Sequence, residues 1–389
     1  MSRVVILLLD GVGCGELPDA ADYGDQGSNT LANVANAVGG LSLPNLARLG
    51  LGNIIPIEGV PPQAKPEACF GKMAEQSVGK DSTTGHWEIA GLATKDQFPL
   101  FQHGFPPEFI QRLEQTIGRK IIGNRAASGT EIIKELGGEH VRTGYPIVYT
   151  SADSVLQIAC HEDIIPPDEL LRICQNARGL CTGRFCVGRV IARPFTGEPG
   201  SFKRTTGRRD FSCAPPQPTL LDNVKETGLP VVGIGKVDDL FAGRGFTETH
   251  HSVSNSDCLQ LTVEAVSKTK AGLLFANLVQ FDMDWGHRNE PASFAAGLSE
   301  FDAFLPSILE RLEPNDLLFI TADHGNDPTT PSTDHSREYV PLLVLGPGIK
   351  PGVYLGTRPS FADLGQTAAG FLEVKPTPHG TSFLKEMST

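Results

Sequence analysis

Three largely apolar runs along this chain are each followed directly by an aspartate. The runs and the aspartates that follow them are residues 4–9 with Asp10, residues 273–281 with Asp282, and residues 317–322 with Asp323. Short continuous apolar runs are typical of strands that are buried on both faces of a parallel sheet. Because ligands bind beyond the carboxyl ends of such strands, the pattern predicts that the three aspartates meet at one edge of one sheet.

Histidines accompany these aspartates. His287 lies five residues after Asp282, and His324 follows Asp323 directly, with His335 further along the same segment. Mixed carboxylate and imidazole donors suit manganese, iron or zinc, so we predict a site for two metal ions. Taken singly, each acid or histidine also fits a turn cap or a surface loop. Adjacent acid and imidazole side chains, however, are costly to bury unless a metal or another partner holds them.

The remaining pattern predicts two domains. Strand and helix patterns alternate in residues 1–97 and 217–389, which predicts an α/β core with a mainly parallel sheet flanked by helices. Further predicted elements of this core are a strand at 231–235, a helix near 257–269 and a strand at 339–345. Residues 98–216 predict a smaller inserted α+β cap domain, with a helix near 108–117, a strand at 146–150, a helix near 167–177 and a strand at 185–192. Two connections to the core would let this cap close over the metal-bearing edge.

Composition excludes several classes of protein. A length of 389 residues exceeds the usual size of one hydrophobic core, which also favours two domains. A formal net charge of −12 argues against a general nucleic-acid-binding protein. No apolar run approaches the roughly 20 residues of a membrane-spanning helix. The eight cysteines form no Cys-x-x-Cys motif, so we expect reduced thiols and a cytoplasmic protein.

Positive charge is concentrated in part of the predicted cap. One acid, Glu198, lies among the basic residues of this stretch, which are Arg178, Arg184, Arg189, Arg193, Lys203, Arg204, Arg208 and Arg209. Such an excess suits an anionic ligand, phosphate above all. A solvated basic surface is the alternative interpretation.

Residues 79–88 form a candidate nucleophile segment. Three hydroxyls, those of Ser82, Thr83 and Thr84, follow a lysine and an aspartate and precede a glycine. If a helix follows, its free N–H groups favour an anion at this point. A hydroxyl here becomes an effective nucleophile when a metal lowers its pKa. An N-cap cluster without chemistry is the alternative.

Several long motifs identify a family. They are residues 10–20, 79–88, 121–124, 127–132, 149–157, 187–195, 321–327 and 334–342. The metal pattern resembles the alkaline phosphatase superfamily, and within it the chain resembles the phosphopentomutase family nearly end to end. The resemblance implies an alkaline-phosphatase-like core that carries an inserted cap.

The resemblance also implies roles for individual residues. One metal ion would be held by Asp10, Asp323 and His324, and the other by Asp282, His287 and His335. Ser82, the residue after Asp81, would be the nucleophile and would bridge the two ions. The family typically has threonine at this position, in Asp-Thr-Met-Thr-Gly, so Ser82 is a departure, and Thr83 and Thr84 are the fallbacks. Substrate contacts would fall on Asp153 and Arg189 in the cap and on Lys236 in the core.

The activity implied by the resemblance is a manganese-dependent phosphopentomutase reaction. It interconverts ribose 1-phosphate and ribose 5-phosphate, and the 2-deoxyribose pair, through a phosphorylated Ser82 and a pentose bisphosphate. The implied cofactors are two Mn²⁺ ions and a sugar bisphosphate as priming activator. We infer a pentose phosphate substrate and no nucleic acid, membrane or obligate protein partner. The alternatives are a metal-dependent phosphatase or cofactor-independent phosphoglycerate mutase on the same core, and a phosphosugar sensor without enzymatic activity.

Overall fold

The computed structural model describes residues 2–151 and 154–388, which group into two units. The larger unit consists of Met1–Asp96 and Pro215–Thr389, and the smaller unit of Gln97–Ala214. Within the described ranges, no helix combines the length and the apolar character that crossing a membrane requires.

The strands are defined here in chain order. They are β1 Arg3–Leu9, β2 Cys69–Met73, β3 Ile122–Ala126, β4 Ile147–Thr150, β5 Val155–His161, β6 Arg189–Thr196, β7 Lys203–Arg204, β8 Arg209–Ser212, β9 Val231–Ile234, β10 Glu248–His250, β11 Gly272–Leu278, β12 Asp316–Thr321, β13 Val340–Leu345 and β14 Tyr354–Arg358. Strands β3 to β8 belong to the smaller unit, and the others belong to the larger unit.

The helices follow the same numbering. They are α1 Ala20–Tyr23, α2 Thr30–Val38, α3 Pro44–Leu49, α4 Leu51–Ile54, α5 Ser82–Ile89, α6 Pro107–Ile117, α7 Gly129–Thr143, α8 Pro167–Leu180, α9 Leu220–Glu226, α10 Val237–Leu240, α11 Asn255–Lys268, α12 Pro291–Leu309, α13 Ala362–Phe371 and α14 Leu384–Met387. A 3₁₀ turn at Gly183–Phe185 and a π-helical segment at Phe281–Gly286 complete the set. The helices predicted near residues 108–117, 167–177 and 257–269 correspond to α6, α8 and α11.

The larger unit is built on one sheet with the strand order β10-β9-β11-β1-β12-β13-β2-β14. Strand β13 runs antiparallel to both of its neighbours, and the other neighbouring pairs of this described sheet run parallel. The central strands β11, β1 and β12 are buried at every position, as their continuous apolar sequences require. The prediction of a mainly parallel sheet is therefore confirmed, with the strand predicted at 339–345 present as its antiparallel member.

One predicted strand of this sheet is too long. The apolar run at 273–281 is strand only as far as Leu278, where β11 ends, and the last residue of the run already belongs to the π-helical segment. Gln280 leaves the ladder because its N–H donates to Oδ1 of Asn255 at 3.1 Å, and its own Oε1 accepts from the N–H of Asn255 at 2.6 Å. Asp282 consequently lies in a helical turn beyond the strand rather than directly after it.

The smaller unit contains a mixed sheet with the order β3-β4-β5-β6-β7, and β8 also pairs with β6. Strands β3 and β4 run parallel, as do β5 and β6, whereas the remaining pairs are antiparallel. Alternate side chains of β5 and β6 face opposite sides of the sheet. Helices α6 and α8 pack on one side and α7 packs on the other, which gives the unit an α+β character.

The strand predicted at 185–192 also needs correction. Strand β6 begins only at Arg189, because Phe185 closes the 3₁₀ turn that follows α8. The Phe185 side chain packs into the apolar core beneath α6 and α8, so its aromatic character reflects burial rather than strand conformation.

Candidate metal centre

The carboxyl ends of the central strands bring the three predicted aspartates together. Strand β1 pairs with β11 on one side and with β12 on the other, and Asp10 follows β1 directly. Asp323 follows β12 after one residue, and Asp282 lies in the turn beyond β11. All three side chains are at least nine-tenths buried.

Asp10, Asp323 and His324 form the first group. Nε2 of His324 lies 3.4 Å from Oδ1 of Asp10 and 3.4 Å from Oδ2 of Asp323. Nδ1 of His324 lies 3.0 Å from the carbonyl oxygen of Gly325, which can only accept, so the ring proton is on Nδ1 and Nε2 is the basic nitrogen. Burial raises the pKa of Asp10, and the negative charges of Asp323 and Asp282 raise it further.

Asp282, His287 and His335 form the second group. Oδ1 of Asp282 lies 3.1 Å from Nε2 of His335, and Oδ2 of Asp282 lies 3.3 Å from Nε2 of His287. Nδ1 of His287 donates to the carbonyl of Thr333 at 2.7 Å, so its Nε2 also faces the carboxylate as the basic nitrogen. Burial lowers the pKa of His335, but the charge of Asp282 outweighs this effect and raises it to about 9.

The two groups form one continuous cluster. The rings of His324 and His335 have centroids 4.1 Å apart, and the rings of His287 and His335 have centroids 4.8 Å apart. One donor atom each of Asp10, Asp282 and His324 lies within 4.8 Å of the others, which links the groups directly. All six side chains that the sequence predicted as metal ligands are thus adjacent in space.

The cluster has the properties expected of a cation site. Oδ1 of Asp10, Oδ2 of Asp323 and Nε2 of His335 are buried, and within residues 2–151 and 154–388 none makes a hydrogen bond of normal geometry. Buried carboxylate oxygens that accept no well-formed hydrogen bond are costly, and like charges at this spacing repel each other. Bound divalent cations would satisfy these atoms, and the carboxylate and imidazole donors suit manganese, iron or zinc.

The structure adds residues that sequence reasoning missed. Nδ2 of Asn277 donates to Oδ2 of Asp10 at 2.8 Å, and Nδ2 of Asn326 donates to Oδ1 of Asp282 at 2.7 Å. Each amide hydrogen-bonds one oxygen of a carboxylate and leaves the other facing a histidine of the cluster. The available signal for Asn277 was a polar residue near the carboxyl end of the otherwise apolar strand β11.

His86 is a further residue that was not singled out. Its Nδ1 lies 2.8 Å from the carbonyl oxygen of Ser82 and 2.9 Å from Oδ2 of Asp323, while its buried Nε2 has no partner among the described residues. His86, Asp10 and Asp323 form another set of donors within 4.8 Å of one another. The spacing of four residues from Ser82 places both residues on one face of α5 and was the signal available in the sequence.

Ser82 is the hydroxyl of the nucleophile segment that faces this cluster. It is the first residue of α5, and its Oγ lies 3.0 Å from Nε2 of His324. Thr84 is engaged elsewhere, because its N–H and hydroxyl both donate to the side chain of the N-cap residue Asp81, at 3.1 and 2.9 Å. Thr83 is buried. The free N–H groups of the first turn of α5 favour an anion beside Ser82.

The predicted substrate contacts lie in different parts of the chain. Lys236 follows β9 by two residues in the larger unit. Burial raises the pKa of Asp10, and the positive charge of Lys236 opposes that effect. Arg189 begins β6 in the smaller unit, where its Nη1 lies 3.6 Å from Oδ2 of Asp210. Asp153 lies outside the described residues.

Comparisons with known proteins identify the family. A family model for the metalloenzyme superfamily matches residues 2–376. A phosphopentomutase from Dictyoglomus thermophilum is 59% identical over 384 residues, which cover 99% of this chain and 98% of that protein. One from Desulfitobacterium hafniense is 58% identical over 387 residues, which cover 100% of both chains.

A solved structure supports the fold. The phosphoglycerate mutase of Leishmania mexicana, solved at low cobalt concentration, superposes with a TM-score of 0.54 over 98% of this chain and 97% of that chain. At 12% identity this likeness shows the alkaline-phosphatase-like fold alone. By contrast, the phosphopentomutases share more than half of their residues with this chain along almost its whole length. The chain therefore belongs to the phosphopentomutase family of the metalloenzyme superfamily and is an isomerase, an intramolecular phosphotransferase.

Proposed function

We propose that the chain interconverts ribose 1-phosphate and ribose 5-phosphate, and the corresponding 2-deoxyribose phosphates, through a phosphorylated Ser82 and a pentose bisphosphate. The observation that carries this proposal is the position of the Ser82 hydroxyl. Its Oγ lies 3.0 Å from Nε2 of His324, at the N-terminus of α5 and against a buried cluster of carboxylates and imidazoles.

In this proposal, the cluster would hold two Mn²⁺ ions, and Ser82 would contribute its hydroxyl oxygen as a further ligand. Asp10, Asp323 and His324 would hold one ion, and Asp282, His287 and His335 the other. When bound, such ions lower the pKa of the serine hydroxyl and neutralise charge on the transferring phosphoryl group. Asn277 and Asn326 orient the carboxylates of Asp10 and Asp282 through the hydrogen bonds that they donate.

The reaction begins with phosphate on Ser82. A hydroxyl of the pentose monophosphate attacks this phosphorus, the bond to Ser82 Oγ breaks, and a pentose bisphosphate forms. The bisphosphate then turns within the site, and Ser82 Oγ attacks its other phosphate, so the sugar leaves as the isomer. Throughout, the N–H groups of the first turn of α5 stabilise the negative charge beside Ser82.

In this proposal, residues of both units would contact the substrate. Arg189 and Lys236 would supply positive charge to the substrate phosphate, and Asp153 would contact the sugar. We propose that the smaller unit acts as a cap that limits the access of water to the phosphorylated serine, because attack by water would convert the mutase into a phosphatase. A sugar bisphosphate would prime the enzyme, and we propose a cytoplasmic location.

One assay tests the proposed reaction. Ribose 1-phosphate is incubated with the full chain and Mn²⁺, and formation of ribose 5-phosphate is followed separately from release of inorganic phosphate. We expect isomerisation to exceed phosphate release by orders of magnitude, since the Ser82 phosphate is conserved in each cycle. Phosphate release without isomerisation would instead establish a phosphatase. Binding of ribose 1-phosphate with neither reaction would establish a sensor.

A further inference from the structure

Two of the eight cysteines lie side by side in the smaller unit, and the proposed reaction uses neither of them. Sγ of Cys186 lies 2.9 Å from Sγ of Cys213, although the two residues are 27 positions apart in the chain. Both side chains are partly exposed, whereas the other six cysteines are buried. We call Cys186 and Cys213 the thiol pair. A reagent in solution reaches this pair more readily than the buried thiols.

Backbone hydrogen bonds hold the two thiols in contact. Cys186 follows the 3₁₀ turn, and its N–H donates to the carbonyl of Gly183 at 3.0 Å. Cys213 follows β8 directly, and its N–H donates to the carbonyl of Gly188 at 2.8 Å. A disulfide places its two sulfurs about 2 Å apart, so the pair must close by roughly 1 Å to form one. The two sulfurs can therefore react with each other within the folded unit.

Arg178, on α8, makes the surroundings of the thiol pair electropositive. Its Nη2 lies 3.9 Å from Sγ of Cys186 and donates to the carbonyl of Cys181 at 2.8 Å. Its Nη1 donates to the carbonyl of Val187 at 2.7 Å. Both carbonyl acceptors are neutral, so the positive charge of the guanidinium group can stabilise a negative sulfur at Cys186.

The two thiols differ in acidity. The hydrogen bond donated by the Cys213 thiol lowers the pKa of Cys186 to about 6, burial opposes this effect, and the charge of Arg178 adds to it. The same hydrogen bond raises the pKa of Cys213, and burial raises it further. At neutral pH, Cys186 is therefore mainly a thiolate and Cys213 a thiol. A thiolate with a neighbouring thiol is the arrangement that oxidation converts into a disulfide.

We propose that the thiol pair is a reversible oxidation site, at which hydrogen peroxide converts Cys186 and Cys213 into a disulfide. Cys186 is the attacking residue, and Cys213 is the residue that completes the disulfide. The alternative ligand of a thiol pair is a soft metal cation, which the positive charge of Arg178 disfavours. The chemistry of the thiol pair is independent of the phosphoryl transfer proposed at Ser82.

The oxidation proceeds in two steps. The Cys186 thiolate attacks one oxygen of hydrogen peroxide, the O–O bond breaks, and the hydroxide that leaves takes up a proton and becomes water. Cys186 is then a sulfenic acid. Sγ of Cys213 attacks the sulfur of Cys186, the S–O bond breaks, and the thiol proton leaves with the hydroxyl group as a second water. Two thiols and one peroxide thus give one disulfide and two waters, and a small dithiol reverses the change.

Peptide mapping tests the site. The full chain, loaded with Mn²⁺, is exposed to a small excess of hydrogen peroxide. Remaining thiols are then blocked with N-ethylmaleimide before and during denaturation, and trypsin is used without reductant. Cys186 and Cys213 fall in the separate tryptic peptides 185–189 and 210–225, whereas Cys181 falls in 179–184. We expect peptides 185–189 and 210–225 to be joined by a disulfide, and dithiothreitol to separate them.

Two serine variants test the order of attack. Cys213→Ser keeps a hydroxyl that can donate to Cys186, so peroxide should leave Cys186 as a sulfenic acid that dimedone labels. Cys186→Ser should lose the disulfide. Peroxide should oxidise its remaining Cys213 at least about tenfold more slowly than Cys186 in the other variant, because burial favours the protonated thiol. The opposite order of rates would overturn the assignment of Cys186 as the attacking residue.

Cys181→Ala is the matched control. Cys181 is the cysteine nearest to Cys186 in the chain, and burial raises its pKa to about 12. Arg178 bonds to its backbone carbonyl, which the substitution retains. The rate and the yield of the disulfide should stay within about twofold.

Thermal unfolding of each variant checks folding, and elemental analysis measures bound zinc. Three results would overturn the proposal. They are the absence of joined peptides after exposure to peroxide, a disulfide that contains Cys181, and stoichiometric zinc that is lost in Cys186→Ser.

Discussion

Oγ of Ser82 lies 3.0 Å from Nε2 of His324, although the two residues are 242 positions apart in the chain. The contact exists because α5 begins at the serine while His324 follows the end of β12, so a helix N-terminus meets the carboxyl edge of the sheet. Thr84, by contrast, bonds to Asp81 and Thr83 is buried. The serine hydroxyl is therefore the one of the three for which the structure shows a contact with the candidate metal centre.

Phosphate should therefore be found on Ser82. Incubation of the protein with a sugar bisphosphate, followed by peptide mass spectrometry, should locate phosphoserine at position 82. Ser82→Ala should lose both the label and the mutase activity. Ser82→Thr should keep some of each, because the resembling family has threonine at this position. Label on Thr83 or Thr84 in the unmodified chain would show that the register of the nucleophile is wrong.

The sequence predicted the elements of this site that depend on local pattern. Asp10, Asp282 and Asp323 could be placed at one sheet edge because each ends an apolar run, and the central position of β1 between β11 and β12 confirms that geometry. The exact end of β11 could not be predicted. It depends on the paired hydrogen bonds between Gln280 and Asn255, the first residue of α11, which lies 25 positions earlier in the chain.

Partners that are distant in sequence were missed for the same reason. Asn277 contacts Asp10 across 267 residues, and no local pattern encodes that pairing. Likewise, Tyr149, Gly129 and Arg204 meet only because β4, the start of α7 and β7 converge in the folded smaller unit. The sequence indicated an excess of arginine in this region but could not say which other side chains these guanidinium groups approach.

Removal of metal should abolish activity. Chelation is expected to eliminate isomerisation and Mn²⁺ to restore it best, because the buried carboxylates of the cluster need cations. Asp323→Ala and His335→Ala should each lower kcat by about a thousandfold or more, and His335→Ala should hold one Mn²⁺ less by elemental analysis. His103→Ala, which alters an exposed histidine of the smaller unit, is the control and should behave as the unmodified protein. Full activity in metal-free protein would contradict the metal assignment.

The Asn277 amide should contribute to metal affinity without binding the metal itself. Asn277→Ala removes the hydrogen bond that fixes Oδ2 of Asp10 and should weaken Mn²⁺ binding by roughly 10- to 100-fold. Thermal unfolding in the presence of chelator measures any separate loss of stability. Unchanged Mn²⁺ affinity together with a lower unfolding temperature would show that Asn277 serves only the packing of β11.

Arg189 should affect the isomerisation of ribose 1-phosphate more than the hydrolysis of a small aryl phosphate. Its guanidinium group is 3.6 Å from Asp210 and partly exposed, so it is available to a substrate. Arg189→Ala should reduce kcat/KM for ribose 1-phosphate by about 100-fold, the loss expected for a charged contact, and should affect hydrolysis of a small aryl phosphate much less. Arg172→Ala, on an exposed position of α8, is the matched control. Equal losses in both reactions would indicate that Arg189 stabilises the fold.

Binding of Mn²⁺ should strengthen as pH rises. Burial lowers the pKa of His335 and the charge of Asp282 raises it to about 9, so in metal-free protein this imidazole is protonated at neutral pH. Because the folded pKa of His335 exceeds the ordinary value, its ion pair with Asp282 stabilises metal-free protein fully below about pH 6.5. This stabilisation is lost as pH rises through 9.

Mn²⁺ must displace the proton of His335 in order to bind. The affinity for Mn²⁺ should therefore increase about tenfold per pH unit between roughly 6.5 and 9, apart from contributions of other ligands. Calorimetry in buffers of different ionisation enthalpy should detect release of at least one proton per protein at pH 7.5. An affinity that does not change with pH would show that His335 is neutral before the metal binds.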